Sequence, residues 1–181
     1  MKEYENIEFK INYGNIKFFD VSDGPGIRVA LYVSGCNFHC EGCHNEEAWD
    51  FNFGKRFTHK EMKLILDLLK KKDNGIDREG LSILGGEPLD PKNRSDVLSI
   101  IEIVKEQCPD KTIWLWTGFT YEKIVSENII PKNILEKIDV IVDGQFVLAE
   151  RDISLKYRGS KNQRVIDVQK TLKENMITYY C

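Results

Sequence analysis

The chain has 181 residues, 41% of them hydrophobic and 30% charged, and a net charge of −3. That length suits one domain, residues 1–181, with a sizeable buried core, and the near-balanced charge gives no electrostatic case for nucleic acid or an anionic membrane. No apolar run approaches the roughly 18 residues of a membrane span, and the opening MKEYENIEFKINYGN is too polar for a secretory signal, so a cytoplasmic protein is expected.

Taken in chain order, residues 16–20 and 27–35 read as strands joined by the tight turn SDGPG, the second rich in apolar and β-branched residues as a buried strand is. The stretch CNFHCEGCHN (36–45) follows directly. Over 58–72, Met62, Ile65, Leu66 and Leu69 recur at helical spacing, with Thr58 and Glu61 placed as a capping box. Residues 80–86 form a short apolar strand running into glycines, and 93–107 put Val97, Ile100, Ile101 and Val104 on one helix face. A strand at 111–118 carries Trp114 and Trp116 on one face, read as core. Short helical pieces at 121–128 and 131–138 follow, the second with Pro131 at the first helical position. Strands at 139–146 and 163–168 complete the order.

Apolar strands alternating with amphipathic helices predict an α/β fold with a mostly parallel sheet. The units are too few for a closed eight-fold barrel of about 250 residues, so the expected architecture is an open partial (β/α) barrel. In such sheets ligands gather at the C-terminal strand ends. GCNFHC, GGEP, TGFT and DGQF all fall there, which argues for one shared site.

Three of the five cysteines, Cys36, Cys40 and Cys43, share a C-x3-C-x2-C spacing, a cluster that fits a metal site in a reducing compartment better than disulfides. They could be ordinary buried thiols, or a zinc site completed by His39 or His44. They could also bind an iron–sulfur cluster, in which three thiolates leave one iron of a cubane open to a small molecule. Cys108, at a helix end, reads as structural, and Cys181 is terminal.

This spacing after the first strands of an α/β chain resembles the radical S-adenosylmethionine (radical SAM) superfamily. DGPGIRVALYVSGCNFHCEGCHN (23–45) resembles the opening of its glycyl-radical-enzyme activases, and LGGEPL (84–89) is similar to the superfamily's GGE motif. WLWTGFTYE (114–122), DVIVDGQF (139–146) and LKYRGSKNQRVIDV (155–168) together resemble the branch that activates anaerobic ribonucleoside-triphosphate reductases; the likeness covers most of 15–168. It implies a 4Fe–4S cluster on Cys36, Cys40 and Cys43, with S-adenosyl-L-methionine chelating the open iron. Reductive cleavage would give a 5′-deoxyadenosyl radical that makes a glycyl radical on the reductase large subunit. An external electron donor such as flavodoxin or ferredoxin is implied. So is contact of Gly85, Gly86 and Glu87 with the substrate's α-amino group. Rival readings are a radical enzyme acting on another glycyl radical enzyme or on a small molecule, and a zinc scaffold.

Thr117 and Asp143, at two further strand ends, are expected cofactor contacts. His39 and His44 are expected to hydrogen-bond the cluster sulfurs, and Asp23 and Arg28 to pair with each other. RGSKNQR (158–164) is read either as a solvated surface or as docking the partner or the cofactor's carboxylate through Arg158 and Arg164. Gly42 departs from the superfamily, many of whose members carry an aromatic residue just before the last cysteine.

Overall fold

The computed structural model describes residues 6–72, 75 and 77–181; the first five residues of the polar N-terminal stretch lie outside this set. Its strands are β1 (Asn12–Asp20), β2 (Arg28–Val33), β3 (Lys55–Arg56), β4 (Gly80–Gly85), β5 (Thr112–Thr117), β6 (Val140–Asp143) and β7 (Arg164–Asp167). They form one sheet in the order β3-β1-β2-β4-β5-β6-β7. β2, β4, β5 and β6 run parallel, in register from Arg28↔Gly80 through Gly80↔Thr112 to Trp114↔Val140. β1 and β7 are antiparallel to their neighbours β2 and β6. The sheet stays open, ending at β3 and β7, as the expected partial barrel requires.

The helices are α1 (His59–Lys70), α2 (Arg94–Gln107), α3 (Tyr121–Ser126), α4 (Lys132–Leu135) and α5 (Val168–Glu174). The predicted capping box starts α1: the Thr58 hydroxyl accepts the Lys60 N–H, and the Glu61 carboxylate accepts the Thr58 N–H. Met62, Ile65, Leu66 and Leu69 are buried, as the spacing predicts. Each such side chain contributes about 1.5–3 kcal/mol. The exposed Lys63–Asp67 pair on the same helix is worth about 0.3–0.5 kcal/mol, so the apolar face sets how α1 packs. α2 buries Val97, Ile100, Ile101 and Val104 in the same way.

Because strand side chains alternate, Val29, Leu31, Leu81, Ile83, Ile113, Leu115 and Ile141 join these helices in the main core. The opposite face carries a smaller cluster of Trp114, Val140, Val142 and Val165, against which Trp116 and Tyr157 pack. Trp114 is therefore core, whereas Trp116 is only half-buried and lines a cavity.

Arg28 lies fully buried on this second face. Its guanidinium donates to Ser82 Oγ, Thr112 Oγ1 and the carbonyls of Leu81 and Thr112, with Trp114 5.6 Å away. Burial lowers its pKa to about 10. It does not pair with the Asp23 carboxylate as expected; that carboxylate accepts the Tyr32 hydroxyl instead. The link between them is indirect, through Ser82, whose hydroxyl donates to the Asp23 carbonyl.

Other departures are short elements. Single 3-10 turns at Glu46–Trp49 and Leu148–Glu150, and the two-residue β3, have no periodicity to read. The last predicted strand ends at Asp167, whose side chain accepts the Lys170 N–H and starts α5. Pro131 takes the N-cap of α4, one position before that expected. Among the described residues, no helix is long and apolar enough to cross a membrane.

Candidate active site

The C-terminal ends of the four parallel strands meet at one cavity of about 990 Å³, lined among others by Cys36, Cys40, Cys43, Glu87, Trp116 and Thr117. The cysteine loop leaves β2 and is anchored at its base by the 3-10 turn: the Gly35 N–H donates to the Ala48 carbonyl at 2.7 Å and the Cys36 N–H to that of Trp49 at 3.1 Å. All three loop thiols are half-buried. Burial pushes the Cys36 and Cys40 thiols up, so holding them as thiolates calls for a cationic partner.

Among the described residues, no three His, Cys, Asp or Glu side chains converge on a single metal ion. A cluster binds each thiolate through a different iron, so three soft sulfurs spread around one cavity fit it. His44 lines that cavity, and the His39 ring stacks on Trp49 with centroids 4.6 Å apart.

Gly85, Gly86 and Glu87 leave β4 beside the cysteine loop. The Gly86 N–H donates to the Val33 carbonyl at 2.7 Å and the Glu87 N–H to that of Gly35 at 2.8 Å. A Cβ on Gly86 would lie 2.5 Å from the Gly35 oxygen. The glycine thus lets two backbone segments touch, which its sequence motif alone does not disclose. Glu87 is 2% exposed. Its carboxylate accepts from the Leu89 N–H (2.8 Å), the Thr117 hydroxyl (2.7 Å) and the Gly118 N–H (2.7 Å). Burial raises its pKa to about 7, against those bonds, which lower it. A carboxylate offers about four lone-pair positions, so one acceptor position remains.

Thr117 lines the cavity, yet its hydroxyl donates to Glu87 and accepts the Phe119 N–H. Asp143 is 1% exposed and bonds inside the protein, to the Tyr121 N–H and the Arg164 guanidinium. Arg164 also grips Glu122 through two nitrogens, at 2.9 and 2.7 Å. Arg164 therefore crosslinks β7, β6 and α3, the opposite of a docking side chain on display. Arg158 does line the cavity, with one guanidinium nitrogen on the Gln163 carbonyl.

Gly42 has φ +70, and a Cβ there would come within 2.8 Å of Leu148. The left-handed backbone disfavours any side chain at this position, and the Leu148 side chain, 42% exposed, would also have to move aside. Sequence reasoning missed Asn37, which donates to Asp90 at 2.7 Å, and Asn93, which donates to Ser34, Gly35 and Glu87. Asn93 is the first residue of the helix expected over 93–107, and its position in the sequence suggests no role in the site.

An open, largely parallel α/β sheet with three thiols in the loop after its first parallel strand is the scaffold of a radical SAM protein. The 4Fe-4S single cluster domain family matches residues 22–166. The chain is 45% identical over 154 residues to the anaerobic ribonucleoside-triphosphate reductase-activating protein of Vibrio cholerae, covering 84% of this chain and 96% of that one. The same-named protein of Escherichia coli K12 is 40% identical, over 86% of this chain and 97% of its own length. That of phage T4 is 38% identical, over 86% and 93%. The chain belongs to the family of anaerobic ribonucleoside-triphosphate reductase-activating proteins.

Proposed function

We propose that this chain activates an anaerobic ribonucleoside-triphosphate reductase by making a glycyl radical on its large subunit. The observation that carries this reading is the meeting of three thiols and four parallel strand ends on one cavity. The names of its relatives supply the target. When bound, a 4Fe–4S cluster supplies one electron to S-adenosylmethionine, whose cleavage yields methionine and a 5′-deoxyadenosyl radical.

The chain's own residues hold and orient. Cys36, Cys40 and Cys43 are the thiolates for the cluster. The Gly85–Gly86 turn brings Glu87 beside the cysteine loop, where its remaining acceptor position suits the methionine ammonium. An arriving cation favours the charged carboxylate, offsetting the burial that holds Glu87 near neutrality. Thr117 and Asp143 act through the protein: Thr117 fixes Glu87, and Asp143 fixes Arg164. Trp116 and Phe38 contribute apolar walls to the cavity. The unclosed sheet leaves a way in for a glycine-bearing segment of the reductase.

The electron would come from an external donor such as flavodoxin or ferredoxin. A reducing cytoplasm suits such a centre. Arg158, on the cavity wall, binds either the partner or the cofactor carboxylate. If it binds the partner, Arg158→Ala lowers radical transfer while slow background cleavage of S-adenosylmethionine survives; if it binds the cofactor, both fall. The test of the reading is anaerobic reconstitution with iron and sulfide, then a reductant and S-adenosylmethionine. 5′-Deoxyadenosine is the expected product, and its absence from a cluster-replete protein would refute the reading.

A further inference from the structure

Asn93 occupies the N-cap of α2 without capping it: its side chain makes no bond to the helix's first N–H groups. Asparagine is among the preferred N-cap residues for that bond, so a side chain turned elsewhere has another task. The Asn93 amide donates to the carbonyls of Ser34 (2.9 Å), Gly35 (3.2 Å) and Glu87 (2.9 Å). It carries two N–H protons, so one is shared among the three oxygens.

Two of those oxygens belong to the residues immediately before Cys36, and the third to the carboxylate-bearing residue of the turn after β4. The amide thus bridges the two loops that the proposed function assigns to cluster and cofactor. Asn93 is 2% exposed and does not line the cavity, so it touches neither. Its own backbone is fixed by α2, the Asn93 carbonyl accepting the Val97 N–H at 3.1 Å. The Asn37–Asp90 bond repeats the same link nearer the surface.

We propose that Asn93 is a positioning residue that sets the separation between the cysteine loop and the Glu87 turn, and so the fit of S-adenosylmethionine across them. The inference rests on the proposed function. A residue that merely stabilised the fold would affect melting and leave affinity alone.

The test uses the full chain, with Asn93→Ala, the milder donor-keeping Asn93→Ser, and Ile101→Val as a control in the α2 core. Iron and sulfide are measured after anaerobic reconstitution. S-adenosylmethionine is then titrated into the reduced proteins, followed by electron paramagnetic resonance. Amide hydrogen exchange is read on the cluster-free chains. Asn93→Ala should keep wild-type iron, need at least tenfold more S-adenosylmethionine for the half-maximal spectral change, and exchange faster at Gly86 and Glu87. Asn93→Ser should fall between, and Ile101→Val should melt lower but titrate as wild type.

A wild-type titration in Asn93→Ala, an equal loss in Ile101→Val, or failure of both Asn93 variants to fold would overturn the inference. A wild-type protein whose spectrum ignores S-adenosylmethionine would contradict the proposed function instead. In that case the exchange rates still decide the role of Asn93, and unchanged protection at Gly86 and Glu87 would overturn it.

Discussion

Thr117 gives its hydroxyl proton to Glu87 across 2.7 Å, tying the end of β5 to the turn after β4. One strand-end motif thereby sets the acid of another. With the Gly118 and Leu89 N–H groups, it makes the Glu87 carboxylate a buried acceptor held from three sides.

That environment predicts a pH signature. Burial raises the Glu87 pKa from 4.5 to about 7. A carboxyl that holds its proton more tightly folded than unfolded stabilises the fold below pH 4.5 and loses that contribution as pH rises to about 7. Wild-type stability should therefore fall relative to Glu87→Gln across this window, by on the order of 3 kcal/mol at about 1.4 kcal/mol per pH unit. Urea unfolding of cluster-free protein at several pH values checks this. A difference flat with pH would show that Glu87 titrates normally. With the cluster present, the same variant should keep its iron and bind S-adenosylmethionine about 1–3 kcal/mol more weakly.

Arg164→Ala should damage the fold before it damages docking. It strips Asp143, 1% exposed, of its cation, and losing one partner of a buried pair costs about 3–5 kcal/mol. Arg164 itself is 25% exposed, so about 2–4 kcal/mol is expected after solvent screening. Its bonds also hold Glu122 down to about 2. The stability this adds is present above the ordinary carboxylate range and is lost as pH falls toward 2, a limb that Arg164→Ala should lack. Wild-type unfolding curves in the variant would place Arg164 outside this crosslink.

Cluster content should follow the loop alone. Alanine at Cys36, Cys40 or Cys43 should abolish bound iron and sulfide. Cys181→Ala should change nothing, and Cys108→Ala should lower melting, because Cys108 is 3% exposed in the core, while keeping the cluster. Full iron in Cys43→Ala would remove that thiol from the ligand set.

Gly42→Ala should cost about 1–2 kcal/mol from the left-handed backbone alone, beyond the clash with Leu148. Combining it with Leu148→Ala relieves the clash and leaves the backbone part. Thermal melting of the single and double variants separates the two, and a double variant as stable as Leu148→Ala alone would show no backbone strain.

The strands and long helices were legible because their signals are local: the 3.6-residue recurrence of α1, its capping box, and the β-branched run of β2. The cysteine spacing was legible for the same reason. What escaped was everything set by distant partners. Glu87 reads as a ligand group, and nothing nearby in sequence announces that Thr117 and Gly118 will hold it. Arg164 reads as a displayed cation until β7 lays it against Asp143 and Glu122. Asn93 is simply the first residue of an expected helix, and only the folded chain brings Ser34 and Gly35, nearly sixty residues back, to its amide.

The most direct measurement is electron paramagnetic resonance of an anaerobic ribonucleoside-triphosphate reductase incubated with this protein, reconstituted with iron and sulfide, a reductant and S-adenosylmethionine. The account predicts a glycyl radical signal on the reductase, accompanied by 5′-deoxyadenosine and absent with Cys36→Ala. A cluster-replete protein that cleaves S-adenosylmethionine yet leaves the reductase without a radical would contradict it.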